Sequence, residues 1–170
     1  MHPTKTLALA LAALAATGGS VAVADDDIQA IDDRRGDAKC ESNPCPDLKS
    51  AIANPGIFDK SELFYIITQH NAVQRSQLPR IAVNTRGPGT SAPEFYVGKR
   101  GSRMGVFNAR TGRKTGPAEV GSGSALGLHW SFWPNAIGNP PSFGWRVEIV
   151  QGGKSIDATP NGGYRTRSLR

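Results

Sequence analysis

The chain is short of the side chains that perform most enzyme chemistry. Of 170 residues, three are histidines and two are cysteines. His2 precedes the apolar leader, so His70 and His129 are the histidines left to a mature protein. No G-x-S-x-G occurs, and Gly121, Gly123 and Gly127 miss the phosphate-loop spacings. These absences argue against catalysis. A Ser–His–Asp site gathered from distant positions is the route left open to the alternative of a small secreted hydrolase. Two cysteines supply no second pair for zinc, and neither His70 nor His129 lies near them. In an oxidising compartment Cys40 and Cys45, in CESNPC, are expected to form a disulfide. Its loop is short, so it would fix a shape more than it would stabilise the fold.

Long apolar runs are scarce as well. Beyond residue 24 no segment is long and apolar enough to span a bilayer as a helix, which takes about 20 residues. The one concentrated run, Leu7 to Ala16, follows Lys5 and is ended by Gly18, Gly19 and Ser20. Ala22-Val23-Ala24 then gives a small-x-small pattern before Asp25. Residues 1–24 therefore read as a cleavable secretory signal, and the protein as secreted. The expected organisation is 1–24 signal peptide, 25–36 acidic flexible lead-in, 37–164 one folded domain and 165–170 basic tail.

A sustained helical period is also missing. In its place stand short apolar segments punctuated by Gly and Pro. Leu48 to Ile52 reads as a strand ended by the turn Asn54-Pro55-Gly56. Leu63 to Thr68 (LFYIIT) is rich in β-branched and aromatic residues. Ile81 to Val83, Phe95 to Val97 and Met104 to Phe107 follow. Two segments alternate cleanly. In 126–133, Leu126, Leu128, Trp130 and Phe132 share one face, with Gly127, His129, Ser131 and Trp133 opposite. In 143–149, Phe143, Trp145, Val147 and Ile149 share a face against Gly144, Arg146 and Glu148. A period of two puts one face of a strand in a core. The expected fold is all-β, an antiparallel β-sandwich of jelly-roll type, with one compact turn in the PNAIGNPPS connection.

Charge is divided along the chain. Residues 25–47 hold eight acids against three bases, whereas 48–170 hold six acids against sixteen bases. Asp33, Asp37 and Asp47 surround the cysteine loop, and Asp157 follows the last strong strand. First and last strands of a domain often lie close, which would bring Asp37, Asp47 and Asp157 together. Clustered carboxylates repel unless a cation sits among them, and Ca²⁺ takes about 6–8 oxygens. A solvated acidic segment is the competing reading. At the basic end, residues 95–115 contain Lys99, Arg100, Arg103, Arg110, Arg113 and Lys114 and no acid. Such a patch suits a polysaccharide or an anionic cell-surface polymer, against the plainer reading of solvated hairpins with Tyr96 and Phe107 in the core. His129 and Trp133, on one outward face, form a further candidate for ligand contact.

Gly36-Asp37-Ala38, Asp47-Leu48, Ala136-Ile137-Gly138, Trp145, Asp157, Pro160 and Tyr164 together resemble the pattern of a group of uncharacterised bacterial secreted proteins. That group is similar to calcium-stabilised β-sandwiches of the carbohydrate-binding or redox-associated kind. The resemblance implies a β-sandwich, calcium ligands at Asp37, Asp47 and Asp157, and no enzymatic activity. The combined expectation is a secreted, non-enzymatic binding module stabilised by calcium, or alternatively a binder of anionic polymers through loops 99–114.

Overall fold

The computed structural model describes residues 29–39, 45–55, 63–69, 77–87, 92–124 and 127–169. The signal segment 1–24, Cys40, His70 and Leu126 lie outside the described residues. Among those described, strands dominate, and the 3-10 turn Pro134–Ile137 is the only helical element. It falls in the PNAIGNPPS connection, where one was expected.

The first sheet contains β1 (Gln29–Asp32), β2 (Leu48–Pro55), β3 (Leu63–Gln69), β8 (Glu119–Ser124) and β9 (Gly127–Phe132), in the order β1-β2-β3-β9-β8. The second contains β4 (Gln77–Asn84), β5 (Phe95–Arg100), β6 (Arg103–Asn108), β7 (Lys114–Gly116), β10 (Ser142–Gln151), β11 (Lys154–Thr159) and β12 (Arg165–Ser168). Its order is β11-β10-β4-β5-β6-β7, with β12 also paired to β10. β11 and β12 occupy successive halves of one β10 edge, at 147–151 and 142–145. All these pairings are antiparallel.

Alternation explains the core. Phe143, Trp145, Val147 and Ile149 are all buried, as are Trp130 and Phe132. Register places Val106, Val97, Ile81 and Val147 side by side across four strands, a row of β-branched residues on the inner face. Leu48, Ala51, Ala53 and Ile67 join them from the first sheet, and Ala136 and Ile137 of the 3-10 turn complete the cluster. The protein is thus an all-β sandwich of packed antiparallel sheets, with consecutive hairpins linked by crossings from one sheet to the other.

Three details differ from the sequence expectation. Residues 29–32, expected within the flexible lead-in, form β1, because Ile31 packs against the core and Gln29 bridges the sheets. The basic tail contributes β12, in which Arg167 is buried and donates through Nη1 to the Ala53 carbonyl at 3.5 Å. β2 continues to Pro55 through the expected turn, paired with β3 as far as Leu63.

The two ends of the domain meet at Gln29. Its side-chain amide donates to the Thr166 carbonyl at 2.8 Å, and its oxygen accepts the Trp145 indole N–H at 3.0 Å. This one side chain ties β1 to β10 and β12 across the sandwich. Gln29→Ala withdraws both contacts, and urea unfolding should show a loss of about 1–2 kcal/mol. An unchanged midpoint and slope would show that the bridge contributes nothing.

Candidate functional site

Two β-bulges face each other where the sheets meet. In β2, Leu48 pairs with Gln69 and Ser50 with Thr68, so Lys49 is an extra residue. In β11, Asp157 pairs with Ile149 and Ser155 with Val150, so Ile156 is extra. A bulged residue leaves the ladder and offers its backbone groups to another segment. Both do so here. The Lys49 carbonyl accepts the Asp33 N–H at 2.8 Å, and the Ile156 carbonyl accepts the Lys39 N–H at 2.6 Å. The segment after β1 is therefore pinned to one edge of each sheet, with Asp33 and Asp37 hung between the pins. The turn at Arg35-Gly36 needs a positive φ, +84° at Gly36, which glycine adopts without strain.

Asp33, Asp37 and Asp157 converge. One carboxylate oxygen from each lies within 4.8 Å of the others. Asp33 and Asp37 are half-buried and Asp157 is buried. The Asp157 Oδ2 accepts the Leu48 N–H at 2.7 Å, joining β11 to β2, and Oδ1 accepts the Ala158 N–H at 2.8 Å. Asn161 donates to Asp37 Oδ2 at 2.5 Å and, at a longer 3.4 Å, to Asp33 Oδ1. Three carboxylate oxygens are closed off from solvent and accept no hydrogen bond: Asp33 Oδ2, Asp37 Oδ1 and Asp47 Oδ1. Asp37 and Asp157 also line an open cleft of about 230 Å³ together with Lys39, Arg146, Ser155 and Asn161.

Two of the three expected ligands, Asp37 and Asp157, thus meet as anticipated. The third place is taken by Asp33. Asp47 stands behind the group, 4% exposed, with its Oδ2 accepting the Gly36 N–H at 2.7 Å. It buttresses the turn that carries Asp37. Spacing alone favoured Asp47, since the bulge that aims Asp33 inward has no sequence signature. The signal available was the pair Asp33 and Asp37 straddling Arg35-Gly36.

The electrostatics follow from crowding. Burial first, then the charges of Asp157 and Asp37, push the Asp33 carboxyl up to about 7. The Arg34 N–H and the Thr159 hydroxyl oppose that rise. Asp157 is raised to about 6, by burial first, and then by the charges of Asp37 and Asp47, against the Leu48 and Ala158 amides.

The chain matches no protein family, curated protein or solved structure. The remaining candidates are placed by the fold alone. Trp133 is 39% exposed at the end of β9 and lines a recess of about 190 Å³ with Pro117, Glu119 and Ser131. His129 does not line it. The His129 ring lies across Gly121 of β8, where any Cβ would collide with it. The basic residues divide. Lys99 and Arg100 line a separate recess on the second sheet, Arg103 lies over the Phe107 ring, and Lys114 donates from Nζ to the Met104 carbonyl at 2.7 Å. Arg110 and Arg113 are exposed in the β6–β7 turn. Cys45 is described but Cys40 is not; no free thiol occurs among the described residues.

An ordinary carboxyl loses its proton near 4, so from about pH 4 to 7 folded Asp33 and Asp157 hold protons that the unfolded chain has released. Their raised values stabilise the fold in acid, and that contribution is lost as pH rises through about 6 and 7. In chelator, wild-type stability relative to Asp33→Asn should therefore decline between pH 4 and 8. Urea titrations at four pH values would reveal it, and parallel profiles for the two proteins would contradict it.

Proposed function

We propose that the protein is a secreted β-sandwich binding module whose lead-in segment is held to the two sheets by a calcium ion at Asp33, Asp37 and Asp157. The observation that supports this most is the pair of unpartnered carboxylate oxygens shut away from water within the group, Asp33 Oδ2 and Asp37 Oδ1. A buried acceptor left unsatisfied costs about 1–3 kcal/mol, more when charged. Proteins seldom retain several such groups in one place without something to satisfy them. A cation would accept both the charge and the lone pairs.

The donor set points to the kind of ion. Carboxylate oxygens with no sulfur or imidazole favour a hard cation over zinc or copper. Opposite ligands on Ca²⁺ lie roughly 4.6–5.2 Å apart, and the three aspartates fall within 4.8 Å of one another. Three carboxylates leave coordination positions over, and the 230 Å³ cleft on the Asp37 and Asp157 side gives water or a ligand oxygen access to them. A Cys40–Cys45 disulfide belongs to the same proposal, restraining the loop two residues ahead of Asp47. We propose binding in preference to hydrolysis because His129 is packed over Gly121, away from the recess beside Trp133.

Calcium at about a hundred times its dissociation constant adds about 2.7 kcal/mol to a fold that alone binds it. For a domain of this size the melting temperature should rise by about 5–10 °C over the chelated protein. Asp37→Asn should abolish the rise, and calorimetric titration with Ca²⁺ should show binding in wild type only. Identical melting in chelator and in millimolar calcium, with no calorimetric signal, would remove the ion from the proposal.

A further inference from the structure

We propose that the outer face of the second sheet carries a trough that binds an acidic polysaccharide through the carboxylates of its sugars. This names the ligand of the binding module proposed above, and it does not require the cation.

The trough arises from strand register. Phe107 pairs with Tyr96, Gly105 with Gly98, and Arg103 with Arg100. The intervening Val97 and Val106 are buried in the core, so these three pairs face outward. Between an aromatic row and a row of arginines stand two opposed glycines, which contribute no side chain of their own. Rows two residues apart stand about 7 Å from each other. The stem of Lys114 lies over Gly105 and closes that end. Gly98 is buried beside Arg80, and the recess it lines with Arg80, Tyr96, Lys99 and Arg100 has a volume of about 280 Å³.

Its electrostatics favour an anion held in one orientation. Arg80, on the neighbouring strand opposite Gly98, lies 3.6 Å from the centre of the Tyr96 ring. Its guanidinium is anchored to the buried Glu148 at 2.7 Å, and Arg146 pairs with the same carboxylate. Two guanidinium groups sharing one carboxylate leave a net positive charge on a rigid plane. Lys99, Arg100 and Arg103 are exposed and enter no salt bridge among the described residues. Planar guanidinium forks match carboxylates in bidentate fashion, and a side chain already held in place loses little entropy on binding.

The aromatic row decides between polymers. Single-stranded nucleic acid needs open ring faces on which bases stack. Here Arg80 covers Tyr96, and Phe107 is 3% exposed beneath Arg103. What remains is a cationic recess, suited to the carboxylate of a uronic acid unit.

The test is calorimetric titration of the mature protein with a hexamer of galacturonic acid, in chelator and in calcium. Binding is expected in both, weakening at least about tenfold from 50 to 300 mM salt as the charges are screened. Arg100→Ala with Arg103→Ala should weaken binding about tenfold or more, the size expected for losing charge-assisted contacts. Arg110→Ala with Arg113→Ala removes equal charge outside the trough and should change it less than about threefold. Thermal melting checks that both variants fold; all four residues are exposed. Equal losses in the two variants would mean a diffuse basic surface and would overturn the trough. So would absent uronate binding, or equal affinity for a single-stranded DNA oligomer. The cation is read separately, from melting in chelator, so either reading can fail while the other stands.

Discussion

The hydrogen bond from the Leu48 amide to the Asp157 carboxylate joins the two sheets at the edge where the chain first enters the sandwich. Everything at the acidic corner is arranged around it. An ionised carboxylate is the stronger acceptor for that amide, yet burial and neighbouring aspartates push Asp157 towards its protonated form. Either a proton or a cation must relieve the conflict. A proton serves only in acid. The proposed cation would serve at neutral pH, and it would also draw in Asp33 and Asp37. The bulges at Lys49 and Ile156 supply the backbone pins, and the carboxylates supply the concentrated negative charge.

Polar side chains do comparable work elsewhere in the sandwich. Gln29 bridges β1 to β10 and β12, and Arg167 reaches from β12 to the Ala53 carbonyl of β2. Each spans the gap between sheets at its open side, where the small residues Ala51 and Ala53 contribute little apolar area. Apolar burial is richest along the row Val106-Val97-Ile81-Val147 and around Trp130, Phe132 and Phe143. The edge strands β1 and β12 are held largely by hydrogen bonds that reward one geometry, and this is why their short polar sequences give no periodic signal.

That division sets what could be read from the residues. The strands at 127–132 and 142–151 were legible because bulky apolar residues alternate there with polar ones. β7, β8, β11 and β12 were not, since KTG, EVGSGS, KSIDAT and RTRS lack any apolar stripe. Asp37 and Asp157 could be paired by reasoning that first and last strands adjoin. Asp33 could not, because its aim depends on a bulge in a strand fifteen residues further along. The basic stretch was visible as charge, but its shape was not. Tyr96 and Phe107 read naturally as core residues. Phe107 is indeed buried, but on the outer face, because its strand is an alternating one and Val106 already occupies the inner side.

The split of charge along the sequence becomes a split across the second sheet. β11, which bears Asp157, lies at one edge, and β5 and β6 lie three and four strands away in the order β11-β10-β4-β5-β6. At about 4.8 Å per strand the separation is roughly 14–19 Å. That exceeds the Debye length of about 8 Å at physiological salt, so across solvent the acidic corner and the cationic trough are screened from each other. Through the protein the link is Arg146-Glu148-Arg80, in which one buried carboxylate pairs with a guanidinium facing each region. Because Glu148 answers both arginines, neither is left to neutralise the aspartates or to be drawn from the trough. The two ends of the sheet keep opposite charge without collapsing onto one another, and the proposed cation at one end would leave the field at the other nearly unaltered.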